Sequence, residues 1–312
     1  MRVLVTGGAG FIGSHLAGKL LSVGHEVFVV DNLSTGRREN VPVEAEFLEL
    51  DLARADFLSE LPGGKFDAVC HLAAQSAGAL SAEKPLYDLQ ANAASTLLLS
   101  RWCLEQGVPR FLYASSMVSY GNVAALPVAE TTPCLPRSYY GVSKRTSEHL
   151  LRLAAAEGLN VTSFRMFSVY GPGQDLSNLK QGMVSIYLAY LLRGVEVPVT
   201  GSLERFRDFV YIDDVVDIWL RAVELSATPA AVYNVGSGRP TTVRELLSAL
   251  IDALDLPSDF PYRELTGSAS DQFGLYSDIS RARTDLGWDP RTELADGLRV
   301  MVDWARSNRQ EA

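Results

Sequence analysis

Tyr140-Gly-Val-Ser-Lys144 places a phenol and an amine four residues apart, in a stretch of helical periodicity that runs to about Ala156. Residues at this spacing share one helix face, so the hydroxyl and the ammonium can approach a common point. A cation there favours the charged form of the phenol and makes it a base. A surface Tyr with a solvated Lys also arises at this spacing by chance. A second feature stands beside it: Arg110-Phe-Leu-Tyr-Ala-Ser115-Ser116 reads as a strand ending in hydroxyl residues, a short loop before Tyr140. Ser116 there can hydrogen-bond a reacting oxygen and share its proton with Tyr140. A helix-cap or turn role explains Ser115 or Ser119 equally well.

The other chemistry-bearing segment lies at the start. The apolar run Arg2-Val-Leu-Val-Thr6 leads straight into Gly7-Gly-Ala-Gly10-Phe-Ile-Gly13. A strand that turns through glycines into a helix exposes backbone N–H groups to a pyrophosphate, with no Cβ in the way. The amphipathic segment Phe11 to Val23 follows, then the strand Glu26-Val-Phe-Val-Val30 ending at Asp31. This context makes the motif a dinucleotide site. A carboxylate at the Asp31 position accepts from both ribose hydroxyls and repels a 2′-phosphate, which favours NAD over NADP. With such a cofactor present, lowering the Tyr140 phenol from about 10 to about 7 takes roughly 4 kcal/mol, which a nearby ammonium and a positive nicotinamide together can supply.

Elements that alternate in the right order must position these groups. Strand-like runs at 45–50, 66–72, 110–115, 160–165 and 232–235 join the two above, with helical segments near 13–23, 86–106, 138–157 and 213–226 between them. The expected fold class is α/β: a Rossmann-type doubly wound parallel sheet with a smaller C-terminal substrate-binding lobe. Ligands then sit at the carboxyl ends of the strands. The turn-rich second half divides the chain into an NAD-binding domain, 1–169 plus 205–236, and a lobe, 170–204 plus 237–312. A last amphipathic helix is expected at about 293–309.

Bulk properties narrow the ligand. The 312 residues are 47% apolar and 21% charged, with a net charge of -9. That balance disfavours a nucleic acid or an anionic membrane as the main partner, so any anionic ligand needs locally placed arginines. Cys70, Cys103 and Cys134 are scattered and odd in number, and His15, His25, His71 and His149 lack metal-ligand spacing. Reduced cysteines and no metal are expected. With no apolar span and no leader pattern, the expectation is a soluble cytoplasmic protein.

The motifs together resemble the extended short-chain dehydrogenase/reductases, in the NAD-dependent nucleotide-sugar epimerase/dehydratase group, and most of all the UDP-glucose (UDP-galactose) 4-epimerases. They are Thr6-Gly7-Gly-Ala-Gly10-Phe-Ile-Gly13, Asp31-Asn-Leu-Ser34, Asp51-Leu52, His71-Leu-Ala-Ala74, Ser115-Ser116, Tyr120-Gly121 and Tyr140-Gly-Val-Ser-Lys144. Tyr170-Gly-Pro172, Arg207-Asp-Phe-Val210, Asp213-Asp214, Tyr233-Asn-Val-Gly236 and Asp278-Ile-Ser-Arg-Ala282 extend the likeness over essentially the whole chain.

The resemblance implies roles. Gly7, Gly10, Phe11, Ile12 and Gly13 cradle the NAD pyrophosphate, Asp31 and Asn32 hold the adenosine ribose, and Asp51 and Leu52 flank the adenine. Leu72, Ala73 and Ala74 wall the nicotinamide half, with Asn92 nearby. Tyr140 is the acid/base, Lys144 its pKa modifier and ribose anchor, and Ser116 the partner that shares the proton. Ser168, Asn178, Leu179, Arg207 and Asp271 fall at substrate-binding positions, with Arg207 on the diphosphate. Relatives of this group commonly pair through the segments at 86–106 and 138–157, which implies a homodimer.

Several positions then choose the reaction. The 4,6-dehydratases carry an Asp-Glu pair after the hydroxyl residue, and the decarboxylases a Glu at the second position. Met117 and Val118 stand there and transfer no protons. Epimerisation at C4 through a transient 4-keto sugar remains. Alternatives are a nucleotide-sugar 4-ketoreductase, against which Asp31 counts in its NADPH form, or another NAD-dependent sugar-nucleotide modifying enzyme, and a non-catalytic NAD/nucleotide-binding regulator, against which the intact Ser116, Tyr140 and Lys144 count. Two departures stand out. Ser168 replaces the group's usual Asn, and Ser268 occupies the place of a second arginine; either Arg205, Lys180 or Arg239 substitutes for it, or the nucleotide is other than the usual UDP. Leu275 stands where the group often gates N-acetylated sugars, a hint of non-acetylated hexoses.

Overall fold

Val3 and Val5 enter one apolar cluster and Leu4, between them, enters another. The first strand is therefore buried on both faces, as its unbroken apolar run requires. A computed structural model describes residues 1–267 and 273–308. The first strand, β1 (Arg2–Thr6), leads through the glycine turn into α1 (Phe11–Ser22), and β2 (Glu26–Asp31) and β3 (Glu46–Glu49) follow. Next come β4 (Ala68–His71), two short helices α2 (Gly78–Glu83) and α3 (Pro85–Leu89), and the longer α4 (Ser95–Gln106). The chemistry-bearing elements are β5 (Arg110–Ser116) and α5 (Tyr139–Ala156), followed by β6 (Asn160–Met166).

The second half adds β7 (Ser168–Tyr170), α6 (Met183–Arg193), β8 (Val197–Thr200), β9 (Phe206–Arg207), β10 (Phe209–Tyr211), α7 (Ile212–Glu224) and β11 (Val232–Val235). After these come β12 (Thr241–Thr242), α8 (Val243–Ala253), β13 (Tyr262–Leu265), α9 (Ser280–Leu286) and α10 (Leu294–Asn308).

The main sheet runs β11-β6-β5-β4-β1-β2-β3, with every neighbour parallel. Its direction of growth reverses at β1, between β4 and β2, and this reversal opens a crevice at the carboxyl ends. Helix α1 packs with α7, and α4 with α5. Leu16 and Trp219 join the cluster of Val3 and Val5, whereas Leu99, Trp102 and Leu151 join that of Leu4. The architecture is the doubly wound α/β fold expected from the alternation. Three two-stranded ribbons, β7 with β10, β9 with β12 and β8 with β13, accompany α6, α8 and α10 in the second half.

One element departs from the sequence reading. The segment at 86–106 is α3 and α4 joined by a π turn over Gln90–Ala94. The widened turn contains Asn92, which is buried and lies within hydrogen-bond distance of Gln75, Asp88 and Ser143. Apolar periodicity carries no trace of an extra residue held by polar contacts to another helix and a distant loop.

Candidate active site

The turn after β1 is built for close approach. Gly7 has φ +72°, and a Cβ there would stand 2.5 Å from the Ala73 backbone nitrogen. A Cβ on Gly13 would overlap the Gly7 carbonyl oxygen. The chain itself therefore requires both glycines, and the turn lies against the Leu72–Ala74 segment. Gly10 differs: a Cβ there would meet only the Gly7 oxygen, at 3.3 Å. As N-cap of α1 it borders open space at the positive end of a helix. A cradle that a Cβ would fill, at a helix N-terminus, fits a pyrophosphate.

Asp31 ends β2 beside this turn. Its Oδ2 accepts the Ala9 amide at 3.0 Å and its Oδ1 the Leu33 amide at 2.8 Å. Burial raises its pKa while these backbone bonds pull it down. Asn32 Nδ2 donates to Asp51 Oδ1 at 3.1 Å, which gathers Asp31, Asn32 and Asp51 at one edge of the cleft. Tyr87, absent from the sequence reading, joins this edge: burial and the Asp51 charge raise its phenol, while Asn32 beside it lowers it.

A directed chain of hydrogen bonds ties the cradle to the π turn. The Ala73 amide donates to Thr6 Oγ1 at 3.2 Å, and Thr6 Oγ1 lies 2.7 Å from His71 Nδ1. His71 Nε2 lies 3.1 Å from Thr96 Oγ1, which donates to the Asn92 carbonyl at 2.6 Å. With Thr96 giving its proton to Asn92, Nε2 must be the donor of His71 and Nδ1 its acceptor. The ring is thus neutral with Nε2 protonated, and burial pushes its pKa down to about 3.

Ser116, Tyr140 and Lys144 come together where β5 meets α5. Ser138 caps α5 by accepting the Gly141 amide at 3.1 Å, which fixes where the helix begins and which face carries Tyr140. Ser116 lies beside the Tyr140 phenol and lowers its pKa. Lys144 is buried, with Nζ donating to the Ala114 carbonyl at 2.8 Å and lying 5.7 Å from the Tyr140 ring centroid. An ammonium has three donors. Among the described residues Ala114 is the acceptor recorded for Lys144, so the group suits a further hydroxyl such as a ribose supplies.

Without a cofactor the phenol lies far above the value near 7 expected with the ammonium and a positive nicotinamide together. Burial pushes the Tyr140 phenol up to about 12, against Ser116, which lowers it, and the Asp88 charge raises it further. Lys144 is itself pulled down to about 7 by burial, against the opposing pull of Asp88. Sequence spacing placed the two groups correctly but could not weigh the desolvation of both. In the chain by itself Tyr140 stays protonated, and ionising it calls for another positive charge in the cleft.

The positions expected to bind the nucleotide sugar lie in the second half. Arg207, on β9, donates from Nη1 to the Phe206 carbonyl at 2.7 Å. Its neighbour Asp208 is engaged elsewhere, accepting from Ser237, Gly238 and Ser277. Ser168 is on β7, and its amide donates to the Asp208 carbonyl at 2.9 Å. Asn178 and Leu179 are half-buried in a segment that touches the first half at three points. Pro172 O lies 3.0 Å from His15 Nε2, Asp175 pairs with Arg37 at 3.6 Å, and Gln181 donates to Ser76 at 2.9 Å. Asp271 and Ser268 lie outside the described residues. Of the candidate substitutes for the second arginine, Arg205 is buried, Lys180 is exposed and Arg239 pairs with Glu293. Leu275 is fully buried with Tyr120, Val128 and Phe167.

Residues 3–236 match the NAD dependent epimerase/dehydratase family. The UDP-glucose 4-epimerase of Mycolicibacterium smegmatis is 35% identical over 317 residues, covering 99% of this chain and 100% of that protein. The crystal structure of the Thermotoga maritima UDP-glucose 4-epimerase with UDP-glucose superposes with a TM-score of 0.92 at 36% identity, over 99% of this chain and 100% of the other. The Thermus thermophilus UDP-glucose 4-epimerase in complex with NAD gives 0.89 at 34% identity, over 98% and 99%. A glycine turn with room for a pyrophosphate, a Ser-Tyr-Lys set at the strand ends and these likenesses over nearly the full length agree: the chain belongs to the NAD dependent epimerase/dehydratase family.

Proposed function

We propose that the protein is an NAD-dependent nucleotide-sugar 4-epimerase acting on substrates of the UDP-glucose/UDP-galactose type. One observation carries the reading: Ser116, the last residue of β5, sits beside the Tyr140 phenol and lowers its pKa, while Met117 and Val118 fill the next two positions. The site can move one hydroxyl proton. It has no acid or base at those two positions for eliminating water or carbon dioxide.

When bound, NAD would supply a hydride acceptor, and in reduced form a hydride donor, at the sugar carbon. Tyr140 accepts the proton of the C4 hydroxyl and later gives it back, with Ser116 holding the same oxygen. Lys144 binds the nicotinamide ribose and supplies positive charge beside Tyr140. Gly7, Gly10, Phe11, Ile12 and Gly13 hold the pyrophosphate. Asp31 and Asn32 hold the adenosine ribose, Asp51 and Leu52 flank the adenine, and Leu72, Ala73, Ala74 and Asn92 bound the nicotinamide side.

Asn178, Leu179 and Asp271, in a lobe of residues 170–204 and 237–312, hold the nucleotide sugar together with Ser168 and Arg207 of a cofactor domain of 1–169 and 205–236. With the diphosphate held, the keto sugar turns its other face to the returning hydride.

The same reading makes the protein a cytoplasmic homodimer. Among the described residues no helix is long and apolar enough to cross a membrane. Leu86, Leu89, Leu97, Val142 and Leu153 lie exposed along α3, α4 and α5, an apolar face suited to a second copy. A monomeric mass by light scattering would refute the dimer.

The activity is tested on purified protein. Denaturation should release close to one NAD per chain. Fresh protein, without added cofactor, should interconvert UDP-glucose and UDP-galactose by NMR. Net consumption of added NADH with a keto sugar would instead establish a ketoreductase. Binding of both ligands without turnover would establish a regulator.

A further inference from the structure

We infer that Asp88 is a positioning residue for the reaction: its buried carboxylate supplies the negative charge that keeps the Lys144 ammonium charged beside Tyr140. This deepens the epimerase reading and rests on it.

Asp88 lies on α3, which packs on α5, and it is fully buried. Its Oδ1 accepts from Asn92 Nδ2 at 3.2 Å and from Gln75 Nε2 at 3.3 Å, both long bonds from neutral amides. Its Oδ2 has no hydrogen-bond partner among the described residues. A buried carboxylate so poorly solvated needs a compensating positive charge. Glu148, one turn beyond Lys144 on α5, has what Asp88 lacks: it is held by Arg165, Arg145 and Ser115.

The buried positive charge that feels Asp88 is Lys144, on the helix against which α3 packs. Among the described residues no ion pair in contact joins them, so the pair acts through space. The surrounding elements leave Lys144 no other carboxylate of this kind. On β4, His71 is neutral, and on β5, Tyr113 offers its ring at 5.0 Å from Nζ and a phenol that burial pushes up. On α5, Tyr140 is protonated and Glu148 is tied to its arginines. Glu83, at the end of α2, and Lys84 are exposed, and the π turn carries no charged side chain.

Hydrogen bonding alone does not require an acid at this position. An asparagine carbonyl would accept the same two bonds from Asn92 and Gln75. Nor does the charge help ionise Tyr140, because Asp88 raises the phenol. The carboxylate serves Lys144, which burial has drawn down to about 7 and whose proton Asp88 helps retain. Near that value small changes matter: one further unit downward cuts the charged fraction at pH 7.5 about eightfold.

The test follows the lysine directly. Protein as purified, labelled with 13Cε-lysine, is titrated by NMR, with the Lys144 signal identified among those of Lys19, Lys65, Lys84 and Lys180 by its loss in Lys144→Arg. Wild-type Lys144 should titrate well below the ordinary lysine value. Asp88→Asn should move it down by about one unit, and Asp88→Glu should restore it. With UDP-galactose at pH 7.5, Asp88→Asn should lose about eightfold in kcat with little change in KM, and the loss should shrink as the pH is lowered toward 6.

An Asp88→Asn protein with the wild-type Lys144 titration would overturn the inference. So would a wild-type Lys144 that titrates at its ordinary value, a result that needs no variant to fold. The titration requires no substrate. Failure of the epimerase reading would appear as absent turnover, while Lys144 would still report on Asp88.

Discussion

Thr6 Oγ1 lies 2.7 Å from His71 Nδ1, and through this contact the last residue of β1 is locked to the last residue of β4 at the point where the sheet reverses. The two strand ends carry the glycine turn and the Leu72–Ala74 segment. The hydrogen bond therefore fixes the two walls of the proposed cofactor crevice relative to each other.

Replacing His71 by Phe keeps the ring stacking but leaves the Thr6 and Thr96 hydroxyls short of a partner. The expected cost is about 2–4 kcal/mol, read as a lower midpoint in urea. In the wild type, the His71 pKa lies below its unfolded value of about 6.5. The neutral buried ring therefore contributes stability that is complete above about pH 6.5 and is lost as the pH falls toward about 3. Acid unfolding of His71→Phe should be correspondingly less steep over that window.

Tyr140→Phe removes the proton carrier and leaves the ring. Turnover should fall by about 10²–10⁴-fold, while the NAD released on denaturation stays at the wild-type stoichiometry. Full activity in this variant would sink the proposed mechanism.

Gly7→Ala places a Cβ 2.5 Å from the Ala73 nitrogen at a backbone φ of +72°. Strain of about 1–3 kcal/mol adds to the displacement of the Leu72–Ala74 segment. The variant should show a lower thermal midpoint and should purify with less bound NAD.

Glu148→Ala strips Arg165 of its main partner in a pair whose side chains are both 3% exposed. An unpaired buried guanidinium should destabilise the fold by about 3–5 kcal/mol. Although burial opposes it, the bonds from Arg165, Ser115 and Arg145 hold the Glu148 carboxyl below its ordinary value. Its contribution is therefore present above the unfolded value of about 4.3 and is lost as the pH falls through the lower folded value. Denaturation at pH 7 and at pH 3 should show a smaller difference in Glu148→Ala than in the wild type.

The amino-acid sequence by itself determined the parallel sheet, the glycine turn and the meeting of Tyr140 with Lys144. Each of these rests on a short-range rule: unbroken apolar runs for strands buried on both faces, glycine at a positive φ, and a spacing of four for one helix face. The tertiary structure decided what those groups are electrically. Whether Lys144 keeps its proton, why Tyr140 holds its own and how His71 became a neutral relay depend on desolvation and on fields from residues remote in sequence. Asp88 was illegible for the same reason. In the sequence it is one acid in a helical segment. Only the packing of α3 on α5, with the π turn that places Asn92 between them, gives its charge a neighbour to act on.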